Sequence, residues 1–400
     1  MSLQKNEIRL GLTLMLAALA AIGPFSIDTY LPAFPEMGAA FAVDRLKIQQ
    51  TLVIYMITFG LMTLWHGALS DSFGRKRVIV IGLAVYALSS LGCALSNSIE
   101  MLWAMRALQG LSAGAGMVVS RAMVRDLYEG PAAQRLIANI AIMFAFAPAI
   151  APIIGGWVLH LAGWRAIFVF LTLVSALLCG VCMWKLPESL PPEKRQPFAV
   201  LPLLRGYKKV FSNPGFVALS VGIGATFGGY FLYILSAPAF IREHLHLGVT
   251  DFHWLFVPGM AGMMAGSWLS GRIAGKWNDR RTLGLAFVVM AISALANLAT
   301  SEFAPDSRLL AVLPIAVYNF GVALAMPNMT LVSLDMYPQN RGMAASCQSF
   351  IQTLLGAGIA ATLAPWLWHS RTGLAFGMAA LGALGGLLVW TQFRRKVTQK

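Results

Sequence analysis

The sequence predicts an all-helical integral membrane protein of twelve transmembrane helices, divided into two sets of six. Three observations predict it. Of the 400 residues, 58% are hydrophobic and only 12% are charged, whereas a soluble chain carries about 25% charged residues. The apolar residues come in continuous runs of about twenty, the length a helix needs to cross the hydrocarbon, and not in the alternating pattern of a membrane barrel. Lys and Arg gather in every second loop between these runs, as the positive-inside rule requires of cytoplasmic loops.

The first run covers about 10–34. Its basic start resembles a signal peptide, but the apolar stretch continues past Pro24, longer than a cleaved signal core. It is read as a retained span. The next five cover about 48–66, 78–96, 100–121, 136–160 and 164–186. A Pro-rich, basic stretch follows, the only long polar connection. The last six runs cover about 214–241, 252–273, 283–300, 309–333, 343–367 and 373–392. The expected domains are therefore an N-terminal six-helix bundle over 1–186, a cytoplasmic linker over 187–213 and a C-terminal six-helix bundle over 214–400. With both termini inside, 23 of the 30 Lys and Arg fall in inside segments, 6 fall in outside loops, and Arg106 lies within a span.

The net charge of +14 does not point to nucleic acid, because the bases are spread through short loops and form no basic face on a polar domain. Cys93, Cys179, Cys182 and Cys347 all fall in apolar runs and read as small buried hydrophobes. The six histidines are scattered near span ends, without the acidic or cysteine partners of a metal site. No metal and no cofactor is expected. No phosphate loop of the G-x-x-x-x-G-K-[ST] type occurs, which leaves an ion gradient as the energy source.

Two ionisable side chains sit well inside the predicted hydrocarbon, Asp28 in the first span and Arg106 in the fourth. Each costs several kcal/mol there, roughly 2.5–3.5 on insertion scales. Each lies six residues from the outer end of its span, so at 1.5 Å per residue both sit about 9 Å below the outer face. Equal depth and opposite charge suggest that they face one cavity and interact, directly or through water. The alternative is a static pair that fixes helix packing.

Around Arg106 the sequence "RALQG" supplies Gln109 as a polar neighbour. Gly110, Ala113, Gly114 and Met117 follow on one small-residue face. The fifth span holds Pro148 and Pro152 one turn apart, and Ala147, Ala151 and Gly155 form a small-residue ridge beside Gly156. Each proline removes a helical hydrogen bond, which suits either kinked packing or a helix that bends in a conformational change. Between the second and third runs lies "GALSDSFGRKR". Arg75, Lys76 and Arg77 fit a topological anchor. They leave unexplained Asp71 at the membrane edge, and Gly67 and Gly74, which permit close approach and a tight turn.

Together these segments resemble the major facilitator superfamily, and within it the twelve-span drug:proton antiporters. The loop Gly67–Arg77 is similar to the superfamily's G-x-L-x-D-x-x-G-R-[RK]-[RK] signature. "RALQG" resembles R-x-x-Q-G, and "APAIAPIIGG" resembles the fifth-span antiporter signature. "SIDTYLPAFP" looks like the first-span signature of the bicyclomycin/chloramphenicol-resistance (Bcr/CflA) subfamily. The resemblance implies two six-helix bundles that work by alternating access. It implies that Asp28 is the acid of proton coupling and Arg106 the arginine beside it. It also implies a cytoplasmic gate of Asp71 and Arg75, with Asp126 a plausible partner for Arg75. The second half is a degraded copy. Leu269 and Ser270 match Leu69 and Ser70, Gly271 replaces the acid, and Asp335 is a loose counterpart of Asp126.

Tyr30, Tyr55, Asn139, Phe144, Tyr230, Phe231, Tyr318, Asn319 and Gln348, with Gln109, are the candidate lining of a substrate cavity. Aromatic and amide side chains inside spans suit a partly apolar organic molecule. The expected function is proton-driven export of amphiphilic drugs of the chloramphenicol or bicyclomycin kind. Export of a metabolite such as a nucleoside or amino-acid derivative is the alternative. A membrane enzyme acting on lipids is a remote one, because no nucleophile–base pair or acid cluster is present. The expected partners are small-molecule drugs, protons and the lipid bilayer, with a monomer in a bacterial inner membrane.

Overall fold

A computed structural model of the protein describes residues 10–128, 130–304 and 306–398, and side chains over most of that range. Among the described residues the regular elements are helices. In the first half these are α1 (Leu10–Asp28), α2 (Phe34–Phe41), α3 (Arg45–Phe73), α4 (Arg75–Ala94), α5 (Ile99–Leu127) and α6 (Gly130–Lys185). A short α7 (Val200–Phe211) precedes α8 (Pro214–Leu235) and the single turn α9 (Ala237–Ala239). Then come α10 (His253–Ile273), α11 (Asp279–Phe303), α12 (Arg308–Leu334), α13 (Arg341–Gly358), α14 (Ala364–Leu367) and α15 (Arg371–Thr398).

Helix starts follow the local chemistry. Asp44, Ser98, Asn213, Asn278 and Ser307 each accept a hydrogen bond from a backbone N–H in the first turn that follows, satisfying donors that a helix N-terminus leaves open. Gly163, at φ 77°, breaks α6 into two arms. Among the described residues, nine segments are long and apolar enough to cross a membrane. The break at Gly163 makes two spans of one of them, and α5 and α10 complete the twelve. The spans are apolar on all sides, and the faces turned away from each core carry Leu161, Trp184 and Phe303, exposed by 78%, 90% and 86%. Such a surface needs lipid around it.

The chain divides into two compact units, Met1–Leu201 and Pro202–Lys400. In the first, α3 packs on α5, α4 on α5 and α6, and α1 on α6. In the second, α10 packs on α12, α11 on α12 and α15, and α8 on α15 and α13. The second scheme repeats the first, helix for helix. This is the internal packing expected of a six-plus-six duplication.

Two expectations need correction. The first helix does not run on to Phe34 but ends at Asp28. Pro32 has no N–H to give to the carbonyl of Asp28, and a residue before proline avoids the helical region. The chain continues as a 3-10 turn at Leu31–Ala33 and restarts as α2. The linker is not wholly irregular either. Its second part is the amphipathic α7, which buries Tyr207 and Val210 and sets Phe211 against Phe350 of α13, ring centroids 5.7 Å apart.

Candidate functional site

The first unit contains two polar constellations. One is buried in its core. Arg106 of α5 is fully enclosed. Its Nη1 donates to Ser26 Oγ of α1 at 3.2 Å and to Gln109 Oε1 at 2.6 Å. Gln109 Nε2 passes the chain on to Ser90 Oγ of α4 at 2.7 Å. The flat guanidinium lies between two aromatic faces, its central carbon 4.3 Å from the ring centroids of both Tyr30 and Tyr55. The rings are themselves anchored. Tyr30 Oη is 3.0 Å from Thr51 Oγ1 of α3, and Tyr55 Oη donates to the carbonyl of Gly23 at 3.0 Å. One arginine thus ties α1, α3, α4 and α5 together.

Asp28 lies on the last residue of α1, only 3% exposed. Among the described residues it forms no ion pair or hydrogen bond, and the partners of Arg106 do not include it. The expectation was an interaction directly or through water, and no direct hydrogen bond or ion pair between the two is found among the described residues. The depth comparison assumed an unbroken helix to Phe34. Ser26 and Gln109 occupy the Arg106 Nη1, while its Nε and Nη2 are buried without a hydrogen-bond partner among the described residues.

The proline-containing arm of α6 packs against this same break. A Cβ on Gly155 would collide with the Thr29 carbonyl oxygen. The small ridge of Ala147, Ala151 and Gly155 therefore lets α6 approach the backbone next to Asp28. Pro152 and Gly156 are buried and Pro148 is half-buried on the same arm. Asn139 and Phe144, also expected on this helix, have side chains outside the described residues.

The second constellation sits at the loop Gly67–Arg77. Gly74 adopts φ 97°, a conformation that only glycine enters freely, and it separates α3 from α4. That turn brings Arg75 back over the end of α3. Its Nη1 is 2.6 Å from Asp71 Oδ1 and donates to Ser70 Oγ at 2.6 Å, and its Nε donates to Asp126 Oδ2 at 3.0 Å. Asp126 was the partner read from the sequence, and the structure places it on Arg75. Lys76 and Arg77 follow at the start of α4, while a Cβ at Gly67 would meet only Val118, at 4.0 Å.

Sequence reasoning missed the other side of this loop. Glu188, just past α6, accepts from the backbone N–H of Arg75 at 3.0 Å and of Lys76 at 3.3 Å, capping α4. Ser189 Oγ donates to Asp126 Oδ2 at 2.8 Å, and the N–H of Gln196 donates to the Asp71 carbonyl at 3.2 Å. Phe198 lies against Trp65 and Phe73. The first part of the linker is thus a strap laid over the loop. The available signal was an acid followed by a serine, "ES", directly after the sixth span.

In the second unit Tyr318 Oη donates to the Thr226 carbonyl at 3.0 Å and Asn319 Nδ2 to the Gly259 carbonyl at 3.1 Å. Tyr230 lies over Gly259 beside Asn319. Phe231 stacks on Phe227 at 5.7 Å, and Gln348 Nε2 reaches Thr330 Oγ1 at 3.4 Å. Asn319 Oδ1 and Gln348 Oε1 are buried without hydrogen-bond partners. Asp335 pairs with Arg341 at 2.6 Å on an exposed surface, and among the described residues no second cluster of the Arg75 kind forms around it.

The architecture and these two constellations define a multi-pass membrane transporter rather than an enzyme. The chain belongs to the Major Facilitator Superfamily, whose family profile matches residues 14–361 and 219–400. It is 30% identical over 351 residues to an uncharacterized MFS-type transporter, YdgK, of Bacillus subtilis, covering 87% of each chain. It is 27% identical to a bicyclomycin resistance protein homolog of Haemophilus influenzae, covering 92% of each. It is 26% identical to multidrug resistance protein D of Escherichia coli, covering 96% of this chain and 95% of the relative. These relatives place it with the bicyclomycin/chloramphenicol-resistance branch. Among solved structures, a D-xylose–proton symporter superposes with a TM-score of 0.73 at 14% identity, over 94% of this chain and 96% of that one. That likeness concerns the fold alone.

Proposed function

We propose that the protein is a proton-coupled exporter of amphiphilic small molecules, working by alternating access, with Asp28 as the proton site. The observation that carries this reading is a buried carboxylate at a helix break, with no partner among the described residues. A charge buried in that setting costs several kcal/mol unless a proton or a counter-ion neutralises it. Arg106 gives its Nη1 to Ser26 and Gln109 and lies against two tyrosines, and no ion pair joins it to Asp28 among the described residues. A proton is then the available way to neutralise Asp28, and its loss to the other side of the membrane is the coupled step.

The substrate class rests on the relatives named for bicyclomycin and multidrug resistance and on the apolar, aromatic character of the spans. Tyr230, Phe231, Tyr318, Asn319 and Gln348 are the proposed substrate contacts of the second unit. Asp71, Arg75 and Asp126 act as the cytoplasmic latch, with both termini in the cytoplasm and the protein in a bacterial inner membrane.

The test is transport in proteoliposomes under an imposed pH gradient, run on a panel of chloramphenicol, bicyclomycin and several nucleosides. Uptake of a drug against its gradient, abolished in Asp28→Asn, is the expected result. Movement of nucleosides alone would make the protein a metabolite exporter. No movement of any compound under that force would end the antiporter reading.

A further inference from the structure

We infer that a groove between α11 and α15, outside the transport machinery described above, binds one anionic phospholipid, with Arg280 holding the headgroup phosphate. The groove has a volume of about 460 Å³ and is open along one side. That size falls in the roughly 300–1,000 Å³ range of ligand sites. Its walls are Phe287, Leu387 and Trp390, and its floor is Gly284 and Gly386. Arg280 is the one charged residue among those that line it.

Four features select this occupant. Both walls belong to spans, so the open side faces acyl chains and a lipid tail needs no entry path. The glycines on the floor create the space: a Cβ at Gly284 would meet nothing within 4 Å. Arg280 sits at one end of the groove, on the second residue of α11, and Trp390 opposite it is 46% exposed. Tryptophan and arginine at one level mark the interface between hydrocarbon and headgroups. Finally, the charge at that end is strongly positive. Arg272, Lys276, Arg280 and Arg281 lie within ten residues, with Asp279 as the only acid, and no acid pairs with Arg280 among the described residues. Its guanidinium carbon instead lies 5.4 Å from the Trp390 ring, leaving its donors for a phosphate, which arginine binds through two parallel hydrogen bonds. Basic pockets between spans on the cytoplasmic side suit anionic headgroups.

The experiment is native mass spectrometry of the full-length protein in detergent. It is titrated with phosphatidylglycerol or phosphatidylethanolamine of identical acyl chains. The wild type is expected to retain one more tightly bound phosphatidylglycerol than phosphatidylethanolamine. Arg280→Gln is expected to weaken that last phosphatidylglycerol about fivefold, the usual worth of one base beside an anionic lipid. Gly284→Leu places a side chain in the groove from a position where a Cβ meets nothing within 4 Å, and is expected to remove one bound lipid of either kind. Equal retention of the two lipids by the wild type would overturn the proposal. So would a phosphatidylglycerol preference unchanged in both variants, which would place it elsewhere on the basic surface. A dimer held together at Trp390, dissociating in Gly284→Leu, would assign the groove to a second copy and also overturn it.

Discussion

Glu188 and Arg75 lie 113 residues apart, yet the Glu188 carboxylate accepts a hydrogen bond from the Arg75 backbone N–H at 3.0 Å. The same carboxylate reaches the N–H of Lys76 and lies 3.8 Å from the Arg195 guanidinium. The end of α6 and the strap that follows it are thereby fastened to the first turn of α4. Any movement that separates α4 from this strap must break these bonds together.

Glu188→Ala is expected to loosen the strap without disturbing membrane insertion. Losing a helix cap costs about 1 kcal/mol, equivalent to roughly fivefold faster opening. Hydrogen exchange at the Arg75 and Lys76 amides checks this, and rates equal to wild type would show that the strap is not what protects them.

Asp126→Asn is expected to shift the balance of inward and outward states. Arg75 is largely buried and divides its guanidinium between Asp71 and Asp126. Removing one charge from a hydrogen-bonded pair costs roughly 1.5–3 kcal/mol, enough to change a state population several-fold. Asp71 is more exposed than Asp126, so Asp71→Asn is expected to shift it less. Labelling of single cysteines on the cytoplasmic side measures both. Identical labelling in all three proteins would return the loop to a purely topological role.

Asp28→Asn is expected to keep the fold and lose coupling. The amide is neutral, so burial at the α1 break no longer carries a charge penalty, and thermal stability is expected to equal or exceed wild type. Counterflow of substrate should persist while uphill transport on a pH gradient disappears. Retained uphill transport would remove Asp28 from the coupling step.

How much of this was readable in the sequence depends on the range of the interaction. Asp28 and Arg106 stood out because charges inside apolar runs are rare, and no structure was needed to find them. The depth count that related them treated α1 as continuous, although Pro32, which ends the helix at Asp28, was visible in the sequence. Arg75 and Asp126 could be paired because each ends a span on the same side of the membrane. Glu188 could not, because its role depends on the chain folding back over α4 after the sixth span. The two tyrosines on Arg106 were noted as aromatic, but nothing in their spacing showed that the turn after α1 and α3 bring both against one guanidinium.

Gly155 and Gly180 lie on the two arms of α6, on either side of Gly163, and are expected to respond oppositely to alanine. A Cβ at Gly155 strikes the Thr29 carbonyl, whereas one at Gly180 meets nothing within 4 Å. Gly155→Ala must push α6 from α1 beside Asp28, a loss of roughly 1–3 kcal/mol by overpacking. Gly180→Ala is expected to be neutral or to stabilise the helix by up to about 1 kcal/mol. Thermal unfolding in detergent compares them. A Gly155→Ala protein as stable as wild type would mean that the α1–α6 contact yields easily.

Arg106→Lys keeps the charge and is expected to fail all the same. A lysine ammonium cannot lie flat between Tyr30 and Tyr55 while also reaching Ser26 and Gln109, because those contacts use the planar guanidinium. Each cation–π contact at a desolvated site is worth about 1–2 kcal/mol. The variant is therefore expected to lose a similar amount of stability and most of its transport rate. Arg106→Gln, which has neither charge nor stacking, should behave no better. If Arg106 served only as a positive charge, Arg106→Lys would transport at the wild-type rate. That result would separate the electrostatic role from the architectural one assigned to it.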